Sequence, residues 1–569
     1  MKINKVFISI AIAATILLVI GFTAVGNVLS ASPGDLLAGT QAKPIAAKFL
    51  PKRSPLVASF LVNPDQLSLF TKLAAKPGDR AAISNDINSL KRQLKKTWLI
   101  DYDKDLSPWL DAEITLAVTT TDIDRQAENG LQPGYLLALA SKDDKAAKQF
   151  SEDFWQKQAI AGSDLVFEQY QGISIIYATA SSKRPGLSGT ILGKFVLFAN
   201  NPKVIRNAIN DLQVPDLALA NDPTYSNSLK QLKDGRFGVA FVNLSQLGYL
   251  GKSSGLVDAD LDLSSLPGSG LVVNLGLTEA GIRADAILAL DPDQAVNVSP
   301  AANKAIENKA IALIPAGSAA IAGHDLNQTW QKLVAALEPY PALGGILDNA
   351  IAKLNRSSGF DLPAEVFNWV KGDYAIALLP DANPSDANSW VFVAQNSDPK
   401  AIDAAISDLD QSARTRANFT VGEVAIGDQK LTVWTRLNAV GISNQKVAAQ
   451  VTGKVAAVHG QTPEYVFIAN SIEALDRILG DKLKPITKSA SYKTATAIVP
   501  TSSSGYAFID NPQAIVNLAQ QFPSLKNLQL KPRSLWQPLL SHVKAIDITS
   551  SDDGKSAGLS RGQMFISLN

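Results

Sequence analysis

The sequence predicts an α+β fold, in which two tandem related domains with antiparallel sheets and packed helices follow an N-terminal transmembrane helix. Three observations predict it: a long uncharged run at the N-terminus, short motifs that occur twice in one order, and strand-like segments joined by turns with helices between them. Strands joined by hairpins pair antiparallel, because parallel neighbours need a long crossover connection.

The N-terminal run follows two lysines and carries no charge over residues 6–28. About 20 helical residues span roughly 30 Å, the thickness of the bilayer core. Because the next positive charge is Lys43, the positive-inside rule places the N-terminus in the cytoplasm and the rest of the chain across the membrane. The run is longer than the apolar region of a cleaved signal peptide, so we favour an uncleaved anchor over residues 1–29, with a signal peptide as the alternative. Residues 30–49 contain Pro, Gly and Ala and predict a tether.

The repeated motifs indicate a duplication. Trp109 and Trp369 lie in similar segments just before a strand, and two further segments recur downstream in the same order. The pairs are Pro108–Ile114 with Asn368–Tyr374, Val196–Asn201 with Phe467–Ser471, and Asp222–Ser226 with Ser489–Lys493. We therefore expect repeat 1 at residues 50–290, a linker at 291–309 and repeat 2 at 310–569.

The elements of each repeat follow from apolar periodicity and from helix-start signals. Asn-Pro and Asp-Pro dipeptides indicate helix starts, because Asn and Asp are good N-caps and Pro suits the first helical position. In repeat 1 the segments are Leu56–Val62, a helix after Asn63, Glu113–Thr119, Tyr135–Ala140, Lys145–Gln158, Leu165–Ala178, Ile191–Ala199, Pro202–Asp211, Phe237–Asn243 and Leu271–Leu290. In repeat 2 they are Ser318–Gly323, a helix from about Trp330 to Leu337, Tyr374–Leu379, Trp390–Ala394, Pro399–Asp410, Glu423–Thr435, Val455–Ala469, Ile472–Leu479, Gly505–Asp510 and Ala545–Leu568.

The composition excludes several classes of chemistry. The chain has 53 basic and 52 acidic residues, a balance that argues against a nucleic-acid partner, which needs a basic face. It has no cysteine, which rules out disulfides, thiolate nucleophiles and Cys-ligated metals. There is no phosphate-binding glycine motif, so the sequence predicts no cofactor.

Three histidines, His324, His459 and His542, all lie in the second repeat and far apart in sequence. No Gly-x-Ser-x-Gly turn or zinc-type histidine pair accompanies them. We interpret them as polar surface or strand-end residues.

An acidic cluster at Asp101, Asp103 and Asp105 resembles the start of a calcium loop. Leu106 stands where such a loop needs Gly, and Ala112 where it needs Glu, so we interpret the cluster as a solvated loop. The sequence therefore assigns no catalytic, cofactor-binding or metal-binding residue.

Trp109 and Trp369 are interpreted as caps on apolar cores, with a ligand or partner contact as the alternative. Basic residues at helical spacing, Lys91, Arg92, Lys95 and Lys96, are interpreted as a solvated face, with a lipid-headgroup contact as the alternative.

The segment Asp105–Glu113, with the strand and helix order around it, resembles the "domain of unknown function 3352" family. The resemblance covers most of the chain from about residue 50. It implies a chiefly cyanobacterial protein with an N-terminal membrane segment, in a bacterial envelope or thylakoid setting, and it implies no reaction. The second copy departs from the pattern at Asn368 and at Lys371–Asp373.

These observations favour a non-catalytic envelope protein, anchored in the membrane by its N-terminal helix, that serves binding, scaffolding or assembly in the periplasm or thylakoid lumen. Its expected partners are the membrane and a protein or lipid. The alternative is a carrier or chaperone of an apolar ligand such as a lipid or pigment, and a hydrolase is a third hypothesis. An apolar groove of several hundred Å³ in each repeat would favour the carrier, whereas filled cores would contradict it.

Overall fold

The computed structural model describes residues 43–65, parts of 85–100, 101–178, 186–232, 235–247, 270–278, 280–289, 308–338, 341–380, 389–426, 429–440, 450–480, 483–499, 505–510, 543–551 and 559–568. The predicted anchor at residues 1–29, most of the tether and His542 lie outside these ranges. Within them, no helix has both the length and the apolar character needed to cross a bilayer.

The first half of the described chain supplies ten strands, β1 to β10. They are β1 (Leu56–Leu61), β2 (Leu110–Thr120), β3 (Gly134–Ser141), β4 (Leu165–Tyr170), β5 (Ile173–Ala178), β6 (Leu187–Leu192), β7 (Phe195–Ala199), β8 (Arg236–Asn243), β9 (Gly270–Thr278) and β10 (Gly281–Ala289). Its α-helices are α1 (Asp144–Ile160), α2 (Pro202–Gln213) and α3 (Pro223–Gln231). Shorter helical turns cover Ala46–Phe49, Tyr102–Leu106, Ala127–Asn129, Pro215–Leu217 and Leu219–Asn221.

The second half supplies the next ten strands, β11 to β20. They are β11 (Ala319–His324), β12 (Asp373–Leu378), β13 (Trp390–Gln395), β14 (Thr420–Ile426), β15 (Gln429–Val440), β16 (Gln450–Gln461), β17 (Tyr465–Ala469), β18 (Tyr506–Ile509), β19 (Val543–Ser551) and β20 (Leu559–Leu568). The α-helices are α4 (Leu326–Leu337), α5 (Pro341–Ser358), α6 (Leu362–Glu365), α7 (Pro399–Thr415), α8 (Ile472–Leu479) and α9 (Ala490–Ile498), with short turns at Ala310–Leu313, Phe367–Trp369 and Ile486–Lys488.

Helix starts follow the predicted dipeptides. Asn201, Asp222 and Asp398 each precede a proline, and each side chain accepts a hydrogen bond from a backbone N–H of the first turn of α2, α3 or α7. Such a cap satisfies donors that the first turn leaves without an intrahelical partner. The dipeptides thus fix where these helices begin.

All strand pairs of the described residues are antiparallel and join into one 20-stranded sheet, which confirms the predicted α+β class with antiparallel pairing. In the first half, pairing runs in the order β4, β5, β6, β7, β3, β2, β1, β8, β9, β10. In the second half it runs in the order β14, β15, β16, β17, β13, β12, β11, β18, β19, β20. Strand for strand, the two halves have the same order, and β10 pairs with β20 to join them. The predicted domain boundaries themselves stay a prediction.

Helices cover both faces of each half, because alternate residues of a strand point to opposite faces. On β7, Leu197 belongs to a core with α2 and α3, whereas Val196 and Phe198 belong to a core with α1. In the second half the corresponding cores contain α8 and α9 on one face and α7 on the other. The sheet is thus the middle layer of three.

Two predicted connecting segments are folded where they meet the sheet. Residues 46–49 belong to the predicted tether, but they form a 3-10 turn whose Ala46 and Phe49 are buried against the first-half core. Asn308 belongs to the predicted linker, but it is buried and donates to the carbonyl oxygens of Gly323 and Tyr374. The sequence does not indicate this packing, because alanine-rich and polar segments give no periodicity that would reveal it.

Candidate binding site

The two repeated tryptophans make the same set of local hydrogen bonds in each half. Trp109 Nε1 donates to the carbonyl oxygen of Asp105 at 2.7 Å, and Trp369 Nε1 donates to that of Glu365 at 3.0 Å. The carboxylates of Asp105 and Glu365 each accept a backbone N–H four residues upstream, at 2.8 Å in both cases. Trp109 is 1% exposed and Trp369 8%, so both cap a core, as the sequence predicts.

The acidic cluster of the first half is turned toward lysines. Asp101 pairs with Lys95 at 2.9 Å, Asp105 pairs with Lys157 at 3.2 Å, and Asp103 pairs with Lys91. The hydrogen bond from Lys95 lowers the pKa of Asp101. Within the described ranges no group of three metal-ligating side chains converges.

Among the basic residues near this cluster, Arg92, Lys95 and Lys96 are exposed, as expected of a solvated face, and Lys91 is partly buried. Lys91 lies over the Tyr102 ring, with its Nζ 4.8 Å from the ring centroid, in addition to its pairing with Asp103. Lys95 is well exposed, but its Nζ lies 2.9 Å from Asp101. The acidic loop itself is packed on the core through its buried Tyr102 and Leu106.

Two histidines are each held by an aspartate that lies far away in sequence. His324 Nδ1 lies 2.9 Å from Asp373 Oδ1 at the end of β11, a strand-end position as predicted. His459 Nε2 lies 2.9 Å from Asp410 Oδ1, which also accepts Trp434 Nε1 at 2.6 Å. His459 is only 5% exposed, so of the two interpretations, a surface or a strand-end residue, the surface one is wrong, and His459 lies near the end of β16.

Asp373 and its first-half counterpart each hold a 3-10 turn against the sheet. Glu113 accepts the backbone N–H groups of Ile45 and Ala46 at 2.9 and 2.8 Å, and Asp373 accepts that of Lys309 at 2.8 Å. Burial raises the pKa of Glu113, although these backbone hydrogen bonds partly offset the rise. The sequence alone marks these carboxylates only as the ends of the tryptophan segments.

An open cleft of about 280 Å³ lies beside Trp369, between α7 and the segment from α6 to Lys371. Its lining consists of Ala364, Glu365, Asn368, Trp369, Lys371, Asp398, Ala401, Ala405, Asp408 and Leu409. Small side chains face it from α7, because Ala401 and Ala405 are one helical turn apart and share a side of the helix. We name this the Trp369 cleft.

The same place in the first half is filled by an aromatic ring. Helices α1 and α7 have the same length, 17 residues, and each is capped by an aspartate, so their positions correspond one to one. The seventh residue is Phe150 in α1 and Ala405 in α7. The Phe150 ring packs on Trp109 with centroids 5.1 Å apart and planes tilted by 35°. Ala405 lines the Trp369 cleft, whereas the residue at the same helix position in the first half, Phe150, packs its ring on the tryptophan.

Charged groups surround the Trp369 cleft. Asp398 and Asp408 lie on its α7 side and Lys371 on the other. Glu365 is engaged inside the protein, where it accepts the Ser412 hydroxyl at 2.8 Å and pairs with Arg416. The carboxylates at the α7 side give this rim a negative character.

With this geometry in view, a family model described as "Protein of unknown function (DUF3352)" matches residues 10–568. The chain belongs to this family. The match confirms the resemblance that the segment Asp105–Glu113 suggested. DUF3352 carries no activity in its description, so it assigns no role to any residue of the Trp369 cleft.

Two further comparisons add no functional information about this DUF3352 protein. No curated protein matches the chain. One solved structure that matches is described as "Structure of crystal form I of TP0453". It is 9% identical, covers 44% of this chain and 80% of its own, and has a TM-score of 0.21, too low to carry an argument.

Sequence reasoning missed the Trp369 cleft in this DUF3352 protein, although the signal for it was present. Aligning α1 and α7 from their capping aspartates places Phe150 opposite Ala405. A large-to-small difference beside a repeated tryptophan predicts a space in one copy.

Proposed function

We propose that this DUF3352 protein is a non-catalytic binding or scaffolding protein of the cell envelope. In this proposal, residues 1–29 anchor the chain in the membrane, and two related α+β domains lie in the periplasm or thylakoid lumen. The uncharged run at residues 6–28 and the lysines before it support the anchor and its orientation.

The Trp369 cleft is the observation that carries the binding function. The two halves have the same strand order and the same tryptophan motif, which are features of a shared scaffold. They differ where one half fills the space beside its tryptophan and the other leaves it open. A cleft that is open in only one of the two halves suits a specific contact, because the sheet and helices that surround it are shared with the other half and keep its lining in place.

The titratable groups described above support binding over catalysis. The carboxylates of Glu113 and Asp373 bind backbone N–H groups, and Asp410 binds an indole and an imidazole. Each of these contacts joins a loop, helix or strand to its neighbour. They therefore have a structural purpose that needs no substrate.

The carrier alternative receives less support from the same geometry. It requires a large apolar groove in each half, but Phe150 occupies the first-half position and packs against Trp109, Phe154 and Phe198. The Trp369 cleft is below the size of typical small-molecule pockets, which is about 300–1,000 Å³. A lipid or pigment needs more enclosed volume than this.

Crosslinking in intact membranes tests the proposed function, with identification of the proteins and lipids that co-purify with the full chain. We expect a reproducible protein partner. Recovery of bound lipid or pigment at one molecule per chain, without a protein, would favour the carrier instead. A substrate-dependent turnover by the purified chain would contradict a non-catalytic role.

The proposed orientation has a separate test in spheroplasts. Protease added outside should digest the folded domains if they are periplasmic. Full protection would contradict a periplasmic location and would leave the thylakoid lumen as the remaining proposed site. Fractionation of thylakoids, followed by protease treatment of right-side-out and inverted vesicles, then decides whether the domains face the lumen.

A further inference from the structure

We infer that the Trp369 cleft receives an aromatic side chain of a partner protein, flanked in that partner by basic residues. The inference rests on the proposed binding function and names the chemistry of the contact. Three features of the molecule carry it: the internal occupant of the matching position, the size of the space and the charge of its rim.

The first half shows which group fits against this tryptophan. Phe150 lies at the seventh position of α1 and its ring stacks obliquely on Trp109. Ala405 lies at the seventh position of α7 and lines the cleft, so the cleft borders the helix position that Phe150 has in the first half. Trp369 already packs edge-on against Phe392, with centroids 6.2 Å apart, and an aromatic ring from outside would add a second aromatic contact on the side that faces the cleft.

The size and openness of the cleft favour a side chain over a free small molecule. The space of about 280 Å³ is just under the usual range for ligand pockets. Ala364, Asn368 and Ala401 on its rim are exposed, so an occupant stays partly open to water. A free ligand buried only in part gains little affinity, whereas a partner protein covers the rim with its own surface and excludes water around the anchor.

The charges on the rim of the Trp369 cleft favour basic residues next to the partner's aromatic side chain. Asp398 and Asp408 are exposed on the α7 side, whereas Lys371 is the basic residue of the lining. Glu365 is already paired with Arg416 and is not free to bind a partner. Basic residues flanking the aromatic anchor therefore find the Asp408 carboxylate and Oδ2 of Asp398, whose Oδ1 caps α7, and such complementary charges favour specific docking.

The test uses the full-length chain in lipid nanodiscs and four probes in titration calorimetry. The first three are capped pentapeptides with the sequences Gly-Arg-Phe-Arg-Gly, Gly-Arg-Leu-Arg-Gly and Gly-Glu-Phe-Glu-Gly, and the fourth is phenylalaninamide. We expect the first peptide to bind most tightly. Replacing Phe by Leu should weaken binding about three- to tenfold, because the aromatic contact is lost. Reversing the flanking charges should weaken it about fivefold or more.

The variant Ala405→Phe fills the cleft from within and should lower the affinity for the first peptide at least tenfold, on the scale of a lost anchor. Ala404→Phe is the matched control, because Ala404 is exposed on the same helix outside the cleft lining and should leave binding unchanged. Asp408→Lys is a second variant on the exposed surface, and it should remove the preference for arginine-flanked over glutamate-flanked peptide.

Several outcomes would overturn the inference. They are undetectable binding of all peptides to the wild-type chain, equal binding to the Ala405→Phe variant, and equal binding of the leucine peptide. Phenylalaninamide binding as tightly as the first peptide would indicate a small-molecule site instead of a protein contact. In membrane crosslinking, a partner captured equally by wild type and Ala405→Phe would overturn the cleft while leaving the binding function standing. Capture of no partner by the wild-type chain would contradict the binding function itself.

Discussion

Gln563 on β20 donates its side-chain amide to Asp285 Oδ1 on β10 at 2.8 Å, and the two residues face each other directly across the strand pair that joins the halves. Arg283 binds the same carboxylate oxygen through Nε and Nη2, at 2.9 and 2.7 Å. The join between the halves therefore contains a buried, charge-assisted network in addition to backbone ladder bonds.

Removing the amide at this join should destabilise the protein. In Gln563→Ala the Asp285 carboxylate keeps Arg283 but loses its cross-strand donor, which should cost about 1–2 kcal/mol of unfolding free energy. Gln149→Ala is the matched control, because Gln149 also donates to an aspartate at 2.8 Å but on an exposed helix surface. Urea denaturation measures both variants, and an equal effect at the two sites would contradict a special role for the join.

A buried acid on β19 should make stability fall as the pH rises. Asp547 is 1% exposed, and burial raises its pKa to about 7 from the ordinary value of 3.8, although the backbone N–H of Ile548 partly offsets the rise. Because the folded state keeps a proton that the unfolded state has lost, unfolding free energy should decrease between about pH 4 and pH 7 and then level off.

Replacement by asparagine removes this titration. The variant Asp547→Asn should flatten the pH dependence in that window and should be the more stable protein above pH 7, by an amount on the order of 2–4 kcal/mol. Thermal unfolding at pH 5 and pH 8 measures the difference between the variants. A wild-type stability that rises from pH 5 to pH 8 more steeply than that of the variant would contradict the prediction.

The pair of His459 and Asp410 should act as a structural clamp. Burial opposes ionisation of Asp410, but hydrogen bonds from His459 and Trp434 outweigh it and lower the pKa of this carboxyl. Asp410→Ala leaves a buried imidazole and an indole N–H without their acceptor, which should cost about 2–3 kcal/mol. Asp408→Ala, an exposed site on the same helix, should change stability by less than about 0.5 kcal/mol. Similar losses in the two variants would show that the clamp has no specific effect.

Helix-start and strand signals predict much of the fold, because each depends only on residues that are close together in sequence. The capping residues Asn201, Asp222 and Asp398 with their prolines mark helix starts, and short apolar runs mark strands such as β7 and β13. These signals depend on backbone chemistry within a few positions, so they can be recognised without knowledge of the tertiary structure.

Long-range pairings are beyond the reach of the sequence. His459 and Asp410 are 49 residues apart, and nothing in either segment indicates the other. The pairing of β10 with β20 is similar, since each strand reads as the end of its own hairpin. Two edge strands can pair when their hydrophobic patterns and their twist are compatible. Many strands satisfy this condition, so the sequence does not reveal which two will pair.

The exchange of phenylalanine for alanine between the halves should have opposite effects in the two helices. Phe150→Ala removes a buried ring that contacts Trp109, Phe154 and Phe198, and it should lower the unfolding free energy by about 3–5 kcal/mol. Ala405→Phe adds a ring beside an open cleft and should change stability by less than about 1 kcal/mol, because Ala405 lines the cleft and the ring has space to enter it.

Phe167→Ala is the matched control for this exchange, because Phe167 is 72% exposed and its loss should have little effect. Guanidinium denaturation measures the three variants against the wild type. If Phe150→Ala cost no more than Phe167→Ala, the ring would not fill its half of the scaffold. If Ala405→Phe destabilised the protein as much as Phe150→Ala, the space beside Trp369 would be too small for a ring, and the aromatic contact inferred for it would fail with it.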